Sequence, residues 1–383
     1  MFDDFVDFVR NIYRSDGVIP LHEPRFVGNE KKYINECIDS TYVSSVGEYV
    51  NEFEKKVEEY TGIKYAISTM NGTAALHLSL LLSGVKPDTE VITQSLTFVA
   101  TCNAIRYCGA IPVLVDVDLE TLGLSPECLE SFLNEHAELR DDGFCWNKSS
   151  NRRLVACVPM HTFGFPVHLD EIKDICDRYN ILLVEDAAES IGSLYKGNHT
   201  GCIGKVSALS FNGNKIITTG GGGMILTNDA EIAARAKHIT TTAKIEHRWF
   251  FEHDEIGYNY RLPNLNAALG VAQMESLEAY LKSKRSLAIL YQEWGDEHGL
   301  PFMKEPASTN SNYWLNVALT SNKSDRDRFL NITNNRNIMT RPMWMPMHKL
   351  AINQDCQHSA MTNSEWLFDR AVNVPSSILP NEE

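Results

Sequence analysis

The chain has 383 residues, 43% hydrophobic and 22% charged, with a formal net charge of −15. That length suits a large core and more than one domain. The acidic balance argues against nucleic acid or an anionic membrane as the main partner, while leaving room for a local basic pocket around an anionic ligand. Nine cysteines, an odd number with no C-x-x-C pair, read as free thiols of a reducing cytoplasm.

The N-terminus places Phe2, Phe5, Val6, Phe8, Val9 and Ile12 on one helical face, expected to pack on the C-terminal part of the chain or on a partner. It lacks the basic and apolar regions of a signal peptide. No run approaches the roughly 18 apolar residues of a membrane span. Lys31 to Cys37 and Val50 to Tyr60 read as helices, joined by the hydroxyl-rich loop STYVSSVGEYV. Tyr65 to Met70 reads as a strand that runs through Asn71, Gly72 and Thr73 into a helix rich in Ala and Leu. The free N–H groups of that helix start, with the Thr73 hydroxyl, would form an anion site.

Glu90 to Thr93, Ile111 to Val115, Leu154 to Val158, Ile181 to Glu185 and Val206 to Phe211 read as further strands alternating with helical stretches. This rhythm predicts a largely parallel sheet with helices on both faces. The polar stretch Glu130 to Arg153 is expected to be a helix and a surface hairpin or loop without chemistry. The fourth of these strands ends in two acids, Glu185 and Asp186, and ligand sites in open α/β sheets lie beyond such carboxyl ends. The fifth turns through Asn212, Gly213 and Asn214 to a single lysine, Lys215. Four glycines, Gly220 to Gly223, then lead into a second strand, Met224 to Thr227. No helix follows the glycines, so they are not a phosphate loop; they suit a close approach of backbone or ligand. A lysine and an acid on strand ends are what pyridoxal phosphate (PLP) needs, one for the Schiff base and one for the protonated pyridine nitrogen. A solvated loop lysine is the plain alternative.

His161 with His168, and His247 with His253, lack the i, i+4 spacing of H-E-x-x-H and have no cysteine cluster, so no metal site is expected. The segment His247 to Tyr260, rich in aromatics and charges, reads as an ordered loop. A long helical pattern, Leu265 to Leu290, leads into a smaller unit with strands at Tyr313 to Leu319 and Met339 to Arg341 and helices at Asp325 to Thr333 and Glu365 to Ala371. The expected division is 1–262, a large cofactor domain with N-terminal helices, and 263–383, a connecting helix and a small C-terminal α/β domain. Arg341, Trp344 and His348 mark the return towards the site. An arginine fork suits phosphate or carboxylate, and a surface arginine is the equal alternative.

NGTAAL, LTFVAT, EDAAES, SFNGNK followed by TTGGGG, and GYNYRLPNLNAALG occur in this order. From about Glu23 to its end the chain resembles the DegT-type sugar aminotransferases, PLP enzymes of the aspartate-aminotransferase fold (fold type I, α/β). HEPRFVGNEKKYINECIDSTYVSSVG, TAKIEHRWFFEHDEIGYNYR and TRPMWMPMHKL resemble the branch that aminates UDP-linked 4-keto-6-deoxy-N-acetylglucosamine towards legionaminic acid or bacillosamine. The resemblance implies that Lys215 carries the cofactor and that Asp186 pairs with its ring nitrogen. It implies that Phe98 stacks on the ring and that Gly72, Thr73 and Ser210 hold the phosphate. Glu189 stands where the family commonly has Gln or His near the ring hydroxyl. Tyr42 and Ser44 are implied to lie near the substrate. Asn259 is implied to reach the phosphate in a neighbouring subunit, giving a homodimer with composite sites. The implied reaction moves an amino group, most often from glutamate, to the C4 keto group of a nucleotide-linked sugar, as in lipopolysaccharide or O-antigen biosynthesis. Two alternatives stay beside it: a sugar dehydratase of the same fold, in which a histidine replaces the lysine, and a non-catalytic regulator. Lys215 argues against the first, and Asp186, Ser210 and Lys215 together argue against the second. The sugar, the nucleotide, the stereochemistry at C4 and the donor are left open.

Overall fold

The computed structural model describes residues 1–380. Helices α1 (Phe2–Tyr13), α2 (Glu30–Asp39) and α3 (Glu48–Thr61) precede β1 (Tyr65–Thr69). Then come α4 (Gly72–Leu82), β2 (Glu90–Gln94), α5 (Val99–Tyr107), β3 (Ile111–Val115) and α6 (Pro126–His136). A hairpin of β4 (Ala137–Leu139) and β5 (Cys145–Asn147) edges β6 (Arg152–Val158). It is followed by α7 (Leu169–Arg178), β7 (Leu182–Asp186), the short β8 (Leu194–Tyr195) and β9 (Asn198–His199), β10 (Val206–Ser210), β11 (Gly223–Thr227) and α8 (Ala230–Thr240).

The main sheet runs β1-β11-β10-β7-β6-β2-β3. Neighbours from β10 to β3 are parallel, as the strand–helix rhythm predicts. Strand β11 runs antiparallel to both β10 and β1, so the sheet is mixed. The cause is local: β10 and β11 are joined by a loop with no crossover helix, and parallel neighbours need a crossover. Side chains alternate between the two faces. Val91, Val184 and Ala208 pack with Leu76, Leu78 and Ile105 of α4 and α5. Ile92 and Leu183 pack on the other face with Leu129 and Leu133 of α6 and Ile172 of α7. Helix α4, GTAALHLSLLL, is buried from Ala74 to Leu80. A helix apolar nearly all round belongs in a core, and this one is thereby held with its start at the carboxyl ends of the strands.

Beyond β12 (Lys244–Ile245) and β13 (Glu252–His253), α9 runs from Asn264 to His298. Strand β14 (Thr309–Asn310) joins β8 and β9. The C-terminal elements are β15 (Asn316–Leu319), α10 (Lys323–Asn335), β16 (Arg341–Pro342), α11 (Thr362–Phe368) and β17 (Ala371–Val374), with β17 central to its sheet. The helix expected to reach Ala371 stops at Phe368, because Ala371 is claimed by β17 opposite Leu319. The strand expected from Tyr313 starts only at Asn316, since Tyr313 takes a left-handed backbone, φ 46°. Helix α1 packs on this C-terminal layer: Phe5, Val6 and Val9 meet Leu287 and Tyr291 of α9, Phe329 of α10 and Val372 of β17. Among the described residues, no helix is long and apolar enough to cross a membrane.

Candidate active site

The last two residues of β7 face opposite ways, as alternation requires. Glu185 is turned into the protein. It accepts N–H groups from Gly201 (2.7 Å), Ile203 (2.8 Å) and Gly204 (2.6 Å) and lies 3.1 Å from His161 Nε2. Burial pushes this carboxyl up, but His161 and the glycine N–H groups outweigh it and hold Glu185 below the usual range. It is a structural clamp. Asp186 is turned into a cavity of about 320 Å³. Its Oδ2 accepts the Thr101 hydroxyl at 2.7 Å and its Oδ1 the Ala188 N–H at 3.2 Å. Burial raises its pKa, and Thr101 and Ala188 pull against that. A buried carboxylate so placed is completed by a cation.

The loop from β10 to β11 is closed by the Phe211 N–H donating to Gly222 O (2.8 Å) and the Thr219 N–H to Phe211 O (3.0 Å). The Lys215 N–H donates to Asn212 O, so the lysine stands on a tight turn. Its Nζ donates to Glu189 Oε1 at 3.1 Å and lies 3.8 Å from the centre of the Trp314 ring. The Trp314 indole N–H donates to Asn214 O at 2.7 Å, which fastens the ring beside the lysine. The glycines around this loop serve close approach. A Cβ on Gly223 would sit 2.4 Å from Asn71 O, and one on Gly72 2.7 Å from Ser210 Cβ. The start of α4 is therefore pressed against the end of β10. Asn71 Oδ1 caps the helix by accepting from the Ala74 N–H at 2.8 Å. The first-turn N–H groups of Gly72 and Thr73 have no acceptor within the helix.

The cavity brings together Gly72, Thr73, Phe98, Asp186, Glu189, Ser210, Lys215 and Trp344 from the residues singled out in the sequence. Phe98 shows about half its surface, and its ring lies 5.9 Å from Trp344, which packs at 4.8 Å on Phe163. The other five candidates lie outside this cavity. Tyr42 and Ser44 are on an exposed loop tied to the start of α9: the Asn264 side chain donates to Tyr42 O (2.7 Å) and its N–H to Ser44 O (2.8 Å). Asn259 is exposed and paired across to Thr241. Arg341 is turned towards α10, donating to Asn334 Oδ1 and Thr340 O. His348 bridges Ser95 Oγ (2.7 Å) and Glu365 Oε1 (3.3 Å), a tie between the C-terminal segment and the end of β2. Asn71, Thr101 and Trp314 line the cavity without having been singled out. Thr101 sits one helical turn after Phe98 and was legible on that spacing. Trp314 comes from a distant part of the chain and had no local signal.

These residues fit PLP. The volume lies at the lower end of the roughly 300–1,000 Å³ of small-molecule sites. A lysine, a buried acid with no direct ion pair among the described residues, a helix start with free N–H groups and an open aromatic face match the aldehyde, the ring nitrogen, the phosphate and the ring.

The sequence profile of the DegT/DnrJ/EryC1/StrS aminotransferase family matches residues 24–383. The GDP-perosamine synthase of Escherichia coli O157:H7 is 37% identical over 366 residues, 95% of each chain. That of Vibrio cholerae is 34% identical over 364 residues, 94% of each chain. Among solved structures, the aminotransferase TlmJ from Streptoalloteichus hindustanus superposes with a TM-score of 0.84 at 27% identity, over 94% of each chain. A match of this extent shows that the chain belongs to the DegT/DnrJ/EryC1/StrS aminotransferase family and is a fold type I, PLP-dependent sugar aminotransferase.

Proposed function

We propose that the enzyme moves an amino group from an amino acid, glutamate in our reading, to the C4 keto group of a nucleotide-linked 4-keto-6-deoxy sugar. The preferred acceptor is UDP-4-keto-6-deoxy-N-acetylglucosamine. The observation that carries this reading is the single cavity shared by Lys215, Asp186 and the start of α4. When bound, PLP supplies an aldehyde for amine exchange and an electron sink for the carbon losing its proton. Lys215 anchors it. Once displaced by the donor, the Lys215 amine moves the proton at the donor Cα or the sugar C4, a role typically contributing about 10²–10⁴-fold. Asp186, oriented by Thr101, keeps the ring nitrogen protonated. Thr73, Ser210 and the first-turn N–H groups of α4 bind the phosphate. Phe98 covers a ring face, and Trp314 and Trp344 keep water from the reacting carbon.

Asn259 serves a second copy of the chain in this reading. It lies outside its own cavity, and its segment exposes Trp249, Phe250, Phe251 and Ile256. An apolar patch of that kind suits burial against another chain. Tyr42 and Ser44 are placed near the sugar nucleotide by the same assembly.

Three sequence blocks support a UDP-linked acceptor, whereas relatives at 37% and 34% identity are named for a GDP-linked sugar. A GDP-4-keto-6-deoxy sugar is therefore the second reading. Assaying UDP-, GDP- and dTDP-linked 4-keto sugars with glutamate decides between them. The highest kcat/KM is expected for the UDP sugar. Preference for the GDP sugar selects the second reading, and no amination of any of them overturns both.

A further inference from the structure

We infer that Glu189 is a proton store for Lys215: a carboxylate while the lysine amine is free and charged, and a carboxylic acid once that amine is tied up in the cofactor linkage. The inference rests on Lys215 being the cofactor lysine. Glu189 is only 4% exposed, in the loop after β7. Its Oε1 accepts from Lys215 Nζ at 3.1 Å and its Oε2 from the Phe163 N–H at 2.9 Å. Phe163 has a left-handed backbone, φ 55°, the kind of strain that structures keep where a group must be aimed. The Asn312 side chain donates to Glu189 O at 2.9 Å and to Ile191 O at 2.9 Å, so the loop is pinned and the carboxylate is held away from water.

A buried carboxylate is tolerated while a cation and hydrogen-bond donors compensate it. Take away the lysine charge and one backbone N–H remains, with Asp186, of the same sign, lining the same cavity. A charge left in that state takes up a proton. Burial already pushes Glu189 up to about 7, and the Lys215 charge is the largest pull the other way. Losing that charge moves it further up. The surrounding titratable groups do not replace the lysine. His161, near Asp186, is engaged by Glu185. His22, on the Lys215 side, is driven well below its usual range by burial and by the charges of Lys284 and Lys215. Lys284 is buried, pushed down to about 7, and donates to Trp314 O and Ser376 O.

The protons balance. Of the three hydrogens on the Lys215 ammonium, two leave in the water formed with the cofactor's aldehyde oxygen, as the carbon–nitrogen double bond forms. The third forms an O–H bond on Glu189. When the cofactor is exchanged onto the donor's amine, Lys215 leaves as a neutral amine beside a protonated acid. It is thus ready to act as a base, and the Glu189 proton passes to Lys215 or to water when the charged pair is restored.

Infrared spectroscopy of the cofactor-free protein at neutral pH tests this. Lys215→Ala should show a protonated-carboxyl band that is lost in Lys215→Ala/Glu189→Gln. Lys215→Arg, which keeps the charge, should lack it, and the wild type should gain it on adding PLP. Near-ultraviolet circular dichroism checks folding, and Lys215→Met replaces the alanine variant if that one does not fold. A carboxylate that stays ionised in the uncharged variants overturns the inference, as does an equally strong band in Lys215→Arg. If PLP is found on another lysine, the site assignment fails while the Lys215→Ala band still reports on Glu189. If PLP is on Lys215 and no band appears, only the proton store fails.

Discussion

The Thr101 hydroxyl donates to Asp186 Oδ2 at 2.7 Å, and both side chains are buried at the mouth of β7. Thr101 also lies 2.8 Å from the Thr97 hydroxyl, so the acid is oriented by a short chain of hydroxyls on the strand-to-helix turn that carries Phe98. Asp186→Asn should keep the fold and some PLP but lose activity by orders of magnitude, because an amide cannot hold the ring nitrogen protonated. Thr101→Val should be milder. Removing a hydrogen bond to a charged group costs about 1.5–3 kcal/mol, or roughly ten- to a hundredfold if it falls on the transition state. Steady-state rates with cofactor content measured alongside check both. Near-normal turnover in Asp186→Asn would show that another acid does this work.

The neighbouring acid predicts a different pH effect. Glu185 is held below its usual range, so the folded state binds its proton more weakly than the unfolded chain does. Its stabilisation is complete above the ordinary glutamate value of about 4.3 and is lost as pH falls through the lower folded value. Glu185→Gln should therefore be less stable than wild type at pH 7, with the gap narrowing below about pH 4. Urea unfolding across that window measures it. A gap independent of pH would mean that packing, and not charge, sets the contribution of Glu185.

The proposed composite sites can be tested with mixed dimers. Combining a Lys215→Ala chain with an Asn259→Ala chain gives one site with both lesions and one with neither. The lesion-free site should work at nearly the wild-type rate, although both parent homodimers are impaired. The Asn259→Ala homodimer should hold PLP more weakly by about 1.5–3 kcal/mol, the worth of one hydrogen bond to a charged group. Purified heterodimers without rescue, beside an impaired Asn259→Ala homodimer, would place Asn259 in its own chain's site.

Much of this site was legible because its parts are local. Asp186 was visible as an acid ending an apolar strand, Lys215 as a lone lysine on a strand connection, and Gly72 and Thr73 as a helix start after a strand. What escaped depends on distant pairing. The loop between β10 and β11 sets their antiparallel pairing, but that β11 then pairs with β1, about 140 residues before β10 in the chain, is a matter of strand order, which is not written in periodicity. Trp314 reaches Lys215 only because the left-handed Tyr313 bends the chain before β15. The inward turn of Glu185 and the cavity-ward turn of Asp186 were fixed by alternation, but which face held the ligand needed the helix α4 to be placed. Arg341 and His348 follow their local ties to α10 and β2, which no motif in the sequence announced.

In the proposed reaction Lys215 carries PLP and gives it up to an amino donor. Borohydride reduction of the loaded enzyme, then peptide mapping by mass spectrometry, tests it with and without glutamate. A pyridoxyl group is expected on Lys215 alone, with loss of that label when glutamate is added before reduction. A label on another lysine would contradict the site, and a Lys215 label that persists in the presence of every amino acid tried would contradict the aminotransferase reaction.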